Sequence, residues 1–81
     1  MNAGRYNDAI PPLRRAVAAF PLQSTDLTYA YALYNLGRSL RLAGRPNQAI
    51  PPLERRLQID NQREKVAREL AAARRSDRTT R

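Results

Sequence analysis

Residues 43–53 read AGRPNQAIPPL, and residues 3–13 read AGRYNDAIPPL. The copies differ at two positions, Tyr6 against Pro46 and Asp8 against Gln48. Ala43 lies 40 residues beyond Ala3, a spacing within the ~20–50 residues at which solenoids and other arrays repeat. A chain that writes one segment twice at this distance builds one supersecondary unit twice. With 81 residues it holds a single small domain and a core of modest size, which argues against an enzyme with a deep pocket of its own.

Working outward from the copies, hydrophobic periodicity predicts four helices and an all-α fold. The first spans about residues 7–20, with Ala9, Ile10, Leu13, Val17 and Phe20 on one stripe, Asn7 as N-cap and Pro21 as its end. The second spans about residues 25–43, capped by the polar pair Gln23 and Ser24 and stopped by Gly44. It carries two faces: Leu33, Leu36, Leu40 and Ala43 on one side, and Tyr31, Asn35, Arg38 and Leu42 on the other. The third, about residues 47–59, repeats the first through Ala49, Ile50, Leu53 and Leu57. The fourth, about residues 60–75, opens with a capping box between Asn61 and Glu64 and carries Val66, Ala67, Leu70 and Ala73 on one stripe. Glu64 with Arg68, and Lys65 with Glu69, fall at i,i+4 spacing on its wet side. Residues 76–81 offer no apolar anchor and read as a disordered tail.

Each copy carries a Pro-Pro pair, Pro11-Pro12 and Pro51-Pro52. If Asn7 caps the first helix, the prolines occupy its fourth and fifth positions and each deletes a backbone hydrogen bond. The alternative is a regular helix beginning near Ile10. Repetition of the pair argues for one shared structural solution, such as a bend at the start of each of these helices. Neither pair sits in an extended Pro-x-x-Pro stretch of the kind that proline-recognising domains bind.

Composition narrows the chemistry. The chain has no Cys and no His, so it offers no disulfide framework, thiolate, imidazole or zinc site of the usual ligand types, and no cofactor is expected. For acid–base work only carboxylates, Tyr, Ser and Thr remain, and Asp8, Asp26, Glu54 and Glu69 fall on different predicted segments with no pairing between them. No apolar run approaches the ~18 residues of a membrane span, and the opening MNAGRYND lacks the basic-then-apolar order of a secretory signal. These features predict a cytoplasmic protein. The formal charge of +8 raises nucleic acid or another polyanion as an alternative partner, yet the basic residues are nearly all Arg and scattered over every predicted helix.

The block Leu33-x-x-Leu36-Gly37-x-x-Leu40, followed by Ala49-x-x-x-Leu53, resembles the tetratricopeptide repeat, in its spacing and in the two small residues Gly37 and Ala49. The resemblance implies an α-solenoid of antiparallel helical hairpins in which Gly37 and Ala49 are small because helices approach most closely there. It departs from the family at Leu33, Leu40, Arg56 and Asn61, where a Trp, a Tyr, a small residue and a closing Pro are usual. The period exceeds the family's usual ~34 residues, and the excess falls in PLQSTDLTY between Phe20 and Ala30. On this reading residues 3–21 are a half repeat, 25–59 a full repeat and 60–75 a capping helix, the whole being the C-terminal part of a longer, bacterial signalling or regulatory chain.

The same resemblance implies function. First helices of such hairpins line a concave groove that binds a peptide or partner helix, and here Tyr31, Tyr34, Asn35, Arg38 and Leu42 present a mixture suited to a peptide backbone and an acidic side chain. The expected protein is a non-catalytic interaction scaffold. Because nothing precedes Met1 to cover Ile10, Leu13, Val17 and Phe20, that stripe is expected to be exposed and to drive self-association into a homo-oligomer.

Overall fold

The computed structural model describes residues 3–79, which form α1 (Ala3–Ala18), α2 (Leu27–Leu42), α3 (Pro46–Leu57) and α4 (Arg63–Thr79). No described helix is long and apolar enough to cross a membrane. The fold is all-helical, as the periodicity predicts, and the element boundaries show where local chemistry overrides the pattern.

The same letters, AGR, behave differently in the two copies. Ala3–Arg5 open α1, one turn ahead of the expected Asn7 cap, whereas Ala43–Arg45 terminate α2 and turn the chain into α3. At the second copy Gly44 adopts φ +83°, Arg45 N–H donates to the Leu40 carbonyl at 2.8 Å and Gly44 N–H to Arg41 at 3.1 Å. This is the Schellman closure, which satisfies carbonyls the helix end would leave open. A reversal of three residues leaves α2 and α3 an antiparallel course. Pro46 then takes the first position of α3, where its missing N–H has no helical partner to lose.

Two other caps differ from expectation. Asp26, not Gln23 or Ser24, caps α2 by accepting from Thr28 N–H at 2.8 Å, while Ser24 Oγ accepts from Asp26 N–H at 3.1 Å and holds the cap in place. The expected Asn61–Glu64 box is not how α4 starts. Gln62 turns the chain at φ +52° and α4 begins at Arg63, while Asn61 Oδ1 accepts from Arg56 Nη2 at 3.0 Å. At its far end α4 continues beyond Arg75 to Thr79, because no Gly or Pro interrupts it. Residues 80 and 81 of the expected tail lie outside the described residues.

The Pro-Pro pairs follow neither expected arrangement. Both lie well inside their helices, Pro51 and Pro52 as the sixth and seventh residues of α3 and Pro11 and Pro12 deeper still within α1. In α3 the lost donors would have served the carbonyls of Asn47 and Gln48, and both of those residues are exposed, so water can replace the missing bonds.

In the packing, α2 is central: it lies against α1 and α3 and also touches α4, while α3 lies against α4. The molecule measures 32 × 25 × 17 Å, and its short axis is what two packed helices at ~8–10 Å separation require. Ile10, Leu36, Leu40, Ala49, Leu53, Leu70 and Ala73 form the main buried cluster, drawing on all four helices. Tyr29, Ala30, Leu33 and Ile59 form a second one beneath the α1–α2 connection. The stripe expected to be uncovered is part of this packing. Ile10 is 3% exposed, and half-buried Leu13, Val17 and Phe20 pack against the two clusters. The reason is that α2 itself covers the inner side of α1, so no preceding helix is needed to bury Ile10.

Helices α2 and α3 approach closely at Gly37. A Cβ built on Gly37 would stand 2.4 Å from Leu53 Cγ and 2.6 Å from its Cδ2, far inside contact distance. Leu53 is fully buried and cannot swing away. The second tie is between α2 and α4. Arg41 Nε donates to Glu69 Oε2, and Arg41 Nη2 to Glu69 Oε1 at 3.2 Å, a two-pronged ion pair. Glu69 is 8% exposed. The expected Lys65–Glu69 pair on the wet side of α4 is therefore replaced, because Glu69 sits between Val66 and Ala73 on the buried side and meets an arginine from another helix.

Two stability tests follow. Gly37→Ala should destabilise by about 1–3 kcal/mol through overpacking, against an intrinsic helix preference for Ala of ~1 kcal/mol. In a Leu53→Ala background the same change should become neutral or stabilising, which urea denaturation can read as a coupling. Glu69→Gln should cost about 1–3 kcal/mol by stranding the Arg41 charge. The paired change Arg41→Met with Glu69→Leu should recover most of that loss, because apolar replacement of a buried pair is often neutral; an unchanged denaturation slope with a shifted midpoint is the expected signature.

Candidate functional site

Exposed apolar and aromatic groups on α2 are concentrated near its N-terminal half. Tyr31 is 72% exposed and Leu27 63%, one turn apart on a helix whose opposite side is core. Both edge a cavity of about 320 Å³ between α2 and the start of α4. Tyr34 closes one wall. Across from it stand Arg56 from the last turn of α3, Asn61 and Gln62 from the α3–α4 turn, and Lys65 from the first turn of α4.

The structure thus divides the residues expected to bind a peptide. Tyr31 and Tyr34 line the cavity, while Asn35, Arg38 and Leu42 continue along α2 beyond its lining, Arg38 exposed and the other two half-buried. Lys65 Nζ stands 4.9 Å from the centre of the Tyr34 ring, a cation–π contact that ties α4 to α2 across the cavity rim.

Arg56 is the residue that sequence reasoning missed. It is 5% exposed, donating from Nη1 to the Ile59 carbonyl at 3.3 Å and from Nη2 to Asn61. Its Nε is buried without a hydrogen-bond partner. Burial pulls the guanidinium below the ordinary arginine value, whereas the hydrogen bond to Glu69 holds Arg41 above it; both remain charged at any physiological pH. The signal was present in the sequence: Arg56 follows Ala49 and Leu53 at helical spacing, which places it on the buried stripe of α3.

On the far side of α2 a second groove of about 440 Å³ separates α1 from α3. Leu33, Leu36 and Leu40 line it from α2, Val17 from α1, and the second Pro-Pro pair from α3. Arg14 Nη2 bridges it by donating to Gln48 Oε1 at 3.0 Å. At its end Arg55 anchors the α1–α2 connection. Its Nε donates to the Leu22 carbonyl, its Nη2 to the Ser24 carbonyl at 3.0 Å, and its guanidinium lies 5.5 Å from the centre of the Tyr29 ring.

Of the carboxylates weighed for catalysis, Asp8 is exposed on α1 and the other three take structural duties. Asp26 caps α2, Glu69 holds Arg41, and Glu54 accepts from Arg74 at 2.9 Å on the surface. Among the described residues no three His, Cys, Asp or Glu side chains gather as a metal site. No protein-family model matches the chain, and neither curated proteins nor solved structures give a significant match.

Arg55→Ala should free the α1–α2 connection. Amide exchange in residues 20–26 should accelerate markedly while the centres of α2 and α3 keep their protection, with a global loss of about 1–2 kcal/mol from the released carbonyl bonds.

Proposed function

We propose that this chain is a non-catalytic interaction module, built in the manner of tetratricopeptide hairpins, that binds a peptide or partner helix along the α2 face flanked by α4. The observation that carries the reading is the exposure of Leu27 and Tyr31 at the mouth of a cavity whose opposite wall is polar and basic. Exposed aromatic surface beside a recess with convergent donors is the chemistry that recognises a peptide, the ring supplying area and the donors fixing the main chain. Gly37 and Ala49 support the hairpin reading through the close packing described above. Arg38, exposed one turn beyond Tyr34, extends the face toward an acidic partner.

Self-association through Ile10, Leu13, Val17 and Phe20 is not part of this proposal, since Ile10 is buried and the other three pack against the two clusters. The competing reading, a polyanion binder driven by the +8 charge, meets a different distribution of arginine. Arg14, Arg41, Arg55, Arg56, Arg63 and Arg74 all make bonds within the fold.

Selection from a displayed library of random dodecapeptides tests the proposal. Binders should lose about tenfold or more in affinity on Tyr31→Ala and a smaller factor on Arg38→Ala, while Arg14→Ala on the opposite groove leaves them unchanged. Binding of single-stranded or duplex DNA that exceeds peptide binding and collapses between low and moderate salt would favour the polyanion reading instead.

A further inference from the structure

On the side of α2 that faces away from α4, the backbones of α1 and α3 do not approach each other; each lies against α2, which forms the floor between them. That floor is Leu33, Leu36 and Leu40. Val17 lines one bank, and Pro51 and Pro52 line the other, a wall of ring carbon with no N–H to offer. At about 440 Å³, apolar with a few polar groups at its ends, the groove has the size and make-up of a small-molecule site. Leu22 hangs at one end, 74% exposed although it lines the recess.

The charged groups in the lining are both arginines, and no Asp or Glu joins them. They stand at opposite ends. Gln48, which holds Arg14, and Arg55 lie two turns apart on α3, about 10 Å at ~1.5 Å rise per residue. Arg55 is committed to the Leu22 and Ser24 carbonyls and to the face of Tyr29. Arg14 is exposed and gives Nη2 to the neutral Gln48 side chain, which leaves the rest of its five N–H donors open to an anion. The occupant follows from what the lining lacks. A helix, ~10–12 Å across with its side chains, cannot enter a channel that one side-chain bond, Arg14 to Gln48 at 3.0 Å, spans. An extended peptide brings a donor and an acceptor at almost every residue, and those left unpaired on burial are costly. The side chains here offer partners only at Arg14, Gln48 and Arg55, because the Tyr29 hydroxyl already donates to the Leu22 carbonyl at 3.4 Å. A hydrocarbon chain needs no partner. With one open guanidinium at its mouth, the groove matches such a chain ending in a single anionic head.

We propose that the α1–α3 groove binds an unbranched acyl carboxylate of the fatty-acid type, taken singly from solution. The carboxylate meets Arg14, which turns from Gln48 to receive it in a two-pronged bond. The chain lies on Leu40, Leu36 and Leu33 towards Arg55, and Leu22 closes over its end. This site lies on the opposite side of α2 from the peptide face, and either can fail without the other.

The test uses the full chain with hexanoate, octanoate and decanoate, each kept below the concentration at which it aggregates, and with 1-octanol as a neutral chain. Methyl spectra of leucine and valine and nitrogen–proton spectra of the arginine Nε groups report binding and its place. The methyl signals of Val17, Leu22 and Leu36 and the Arg14 Nε signal should move together with the acids and saturate at one ligand per chain, while the Tyr31 and Tyr34 rings stay still. Affinity should rise about fourfold for each methylene that enters the groove. Octanol should move the same methyls, bind several-fold more weakly than octanoate and leave Arg14 unmoved. Arg14→Gln, a change at the surface, should bring octanoate down to the affinity of octanol. Val17→Phe fills the groove and should abolish both; should that variant fail to fold, the chain-length series and Arg14→Gln decide the matter. Affinity that ignores chain length, or movement of Arg14 with the methyls still, overturns the site in favour of diffuse charge attraction. Shifts that spread to Leu27 and Tyr31 without saturating overturn it in favour of detergent-like adsorption. Sedimentation with phosphatidylglycerol vesicles, while the free acids move nothing, replaces it with attachment to a bilayer surface. No movement with any probe ends the proposal.

Discussion

The distance between α2 and α3 is set by one missing side chain. Leu53 occupies the space above Gly37 that any other residue would fill, and around this contact the buried cluster draws in Ile10 from α1 and Leu70 and Ala73 from α4. Moving the two helices apart would uncover Leu36, Leu40 and Ala49 together. It would also shift the last turn of α3, which carries Arg56, and with it the wall of the cavity. Fold and candidate site therefore share one dimension.

Arginine works in this molecule as a connecting element. Its planar fork reaches backbone carbonyls and carboxylates on neighbouring elements while its stem covers apolar surface. Arg55 ties the α1–α2 connection to α3, Arg41 ties α2 to α4, Arg63 reaches back to the Leu57 carbonyl, and Arg74 joins α4 to α3. A composition that suggests an electrostatic surface is thereby partly a record of how a small core is held shut. Only after this use is recognised does Arg56 stand apart, as a guanidinium with neutral partners.

The helices, the Gly44 stop and the small residues at Gly37 and Ala49 were legible because each rests on local chemistry or on periodicity. What was not legible depended on partners distant in sequence. Glu69 looks like half of an i,i+4 pair with Lys65 until α2 brings Arg41 to it, and Asn61 looks like a cap until the side chain of Arg56 claims it. The AGR triplet shows the same limit, since identical letters open α1 and end α2. Of the candidate face, Tyr31 and Tyr34 could be read from α2 alone. The opposite wall comes from α3 and α4 and required knowing which turn faces which helix.

The Pro-Pro pairs divide the four helices into two kinds. Helices α2 and α4 contain no proline, whereas α1 and α3 each lack two consecutive backbone donors in their interior. A helix of 12 or 16 residues is marginal in water even with a full set of hydrogen bonds, so the proline-bearing pair has little tendency to form alone. Helices α1 and α3 are thus helical by contact, shaped on the surface of their neighbours. Helix α2 is the surface against which both of them pack, and a separated copy of the repeated eleven residues carries no memory of the shape it takes in the whole.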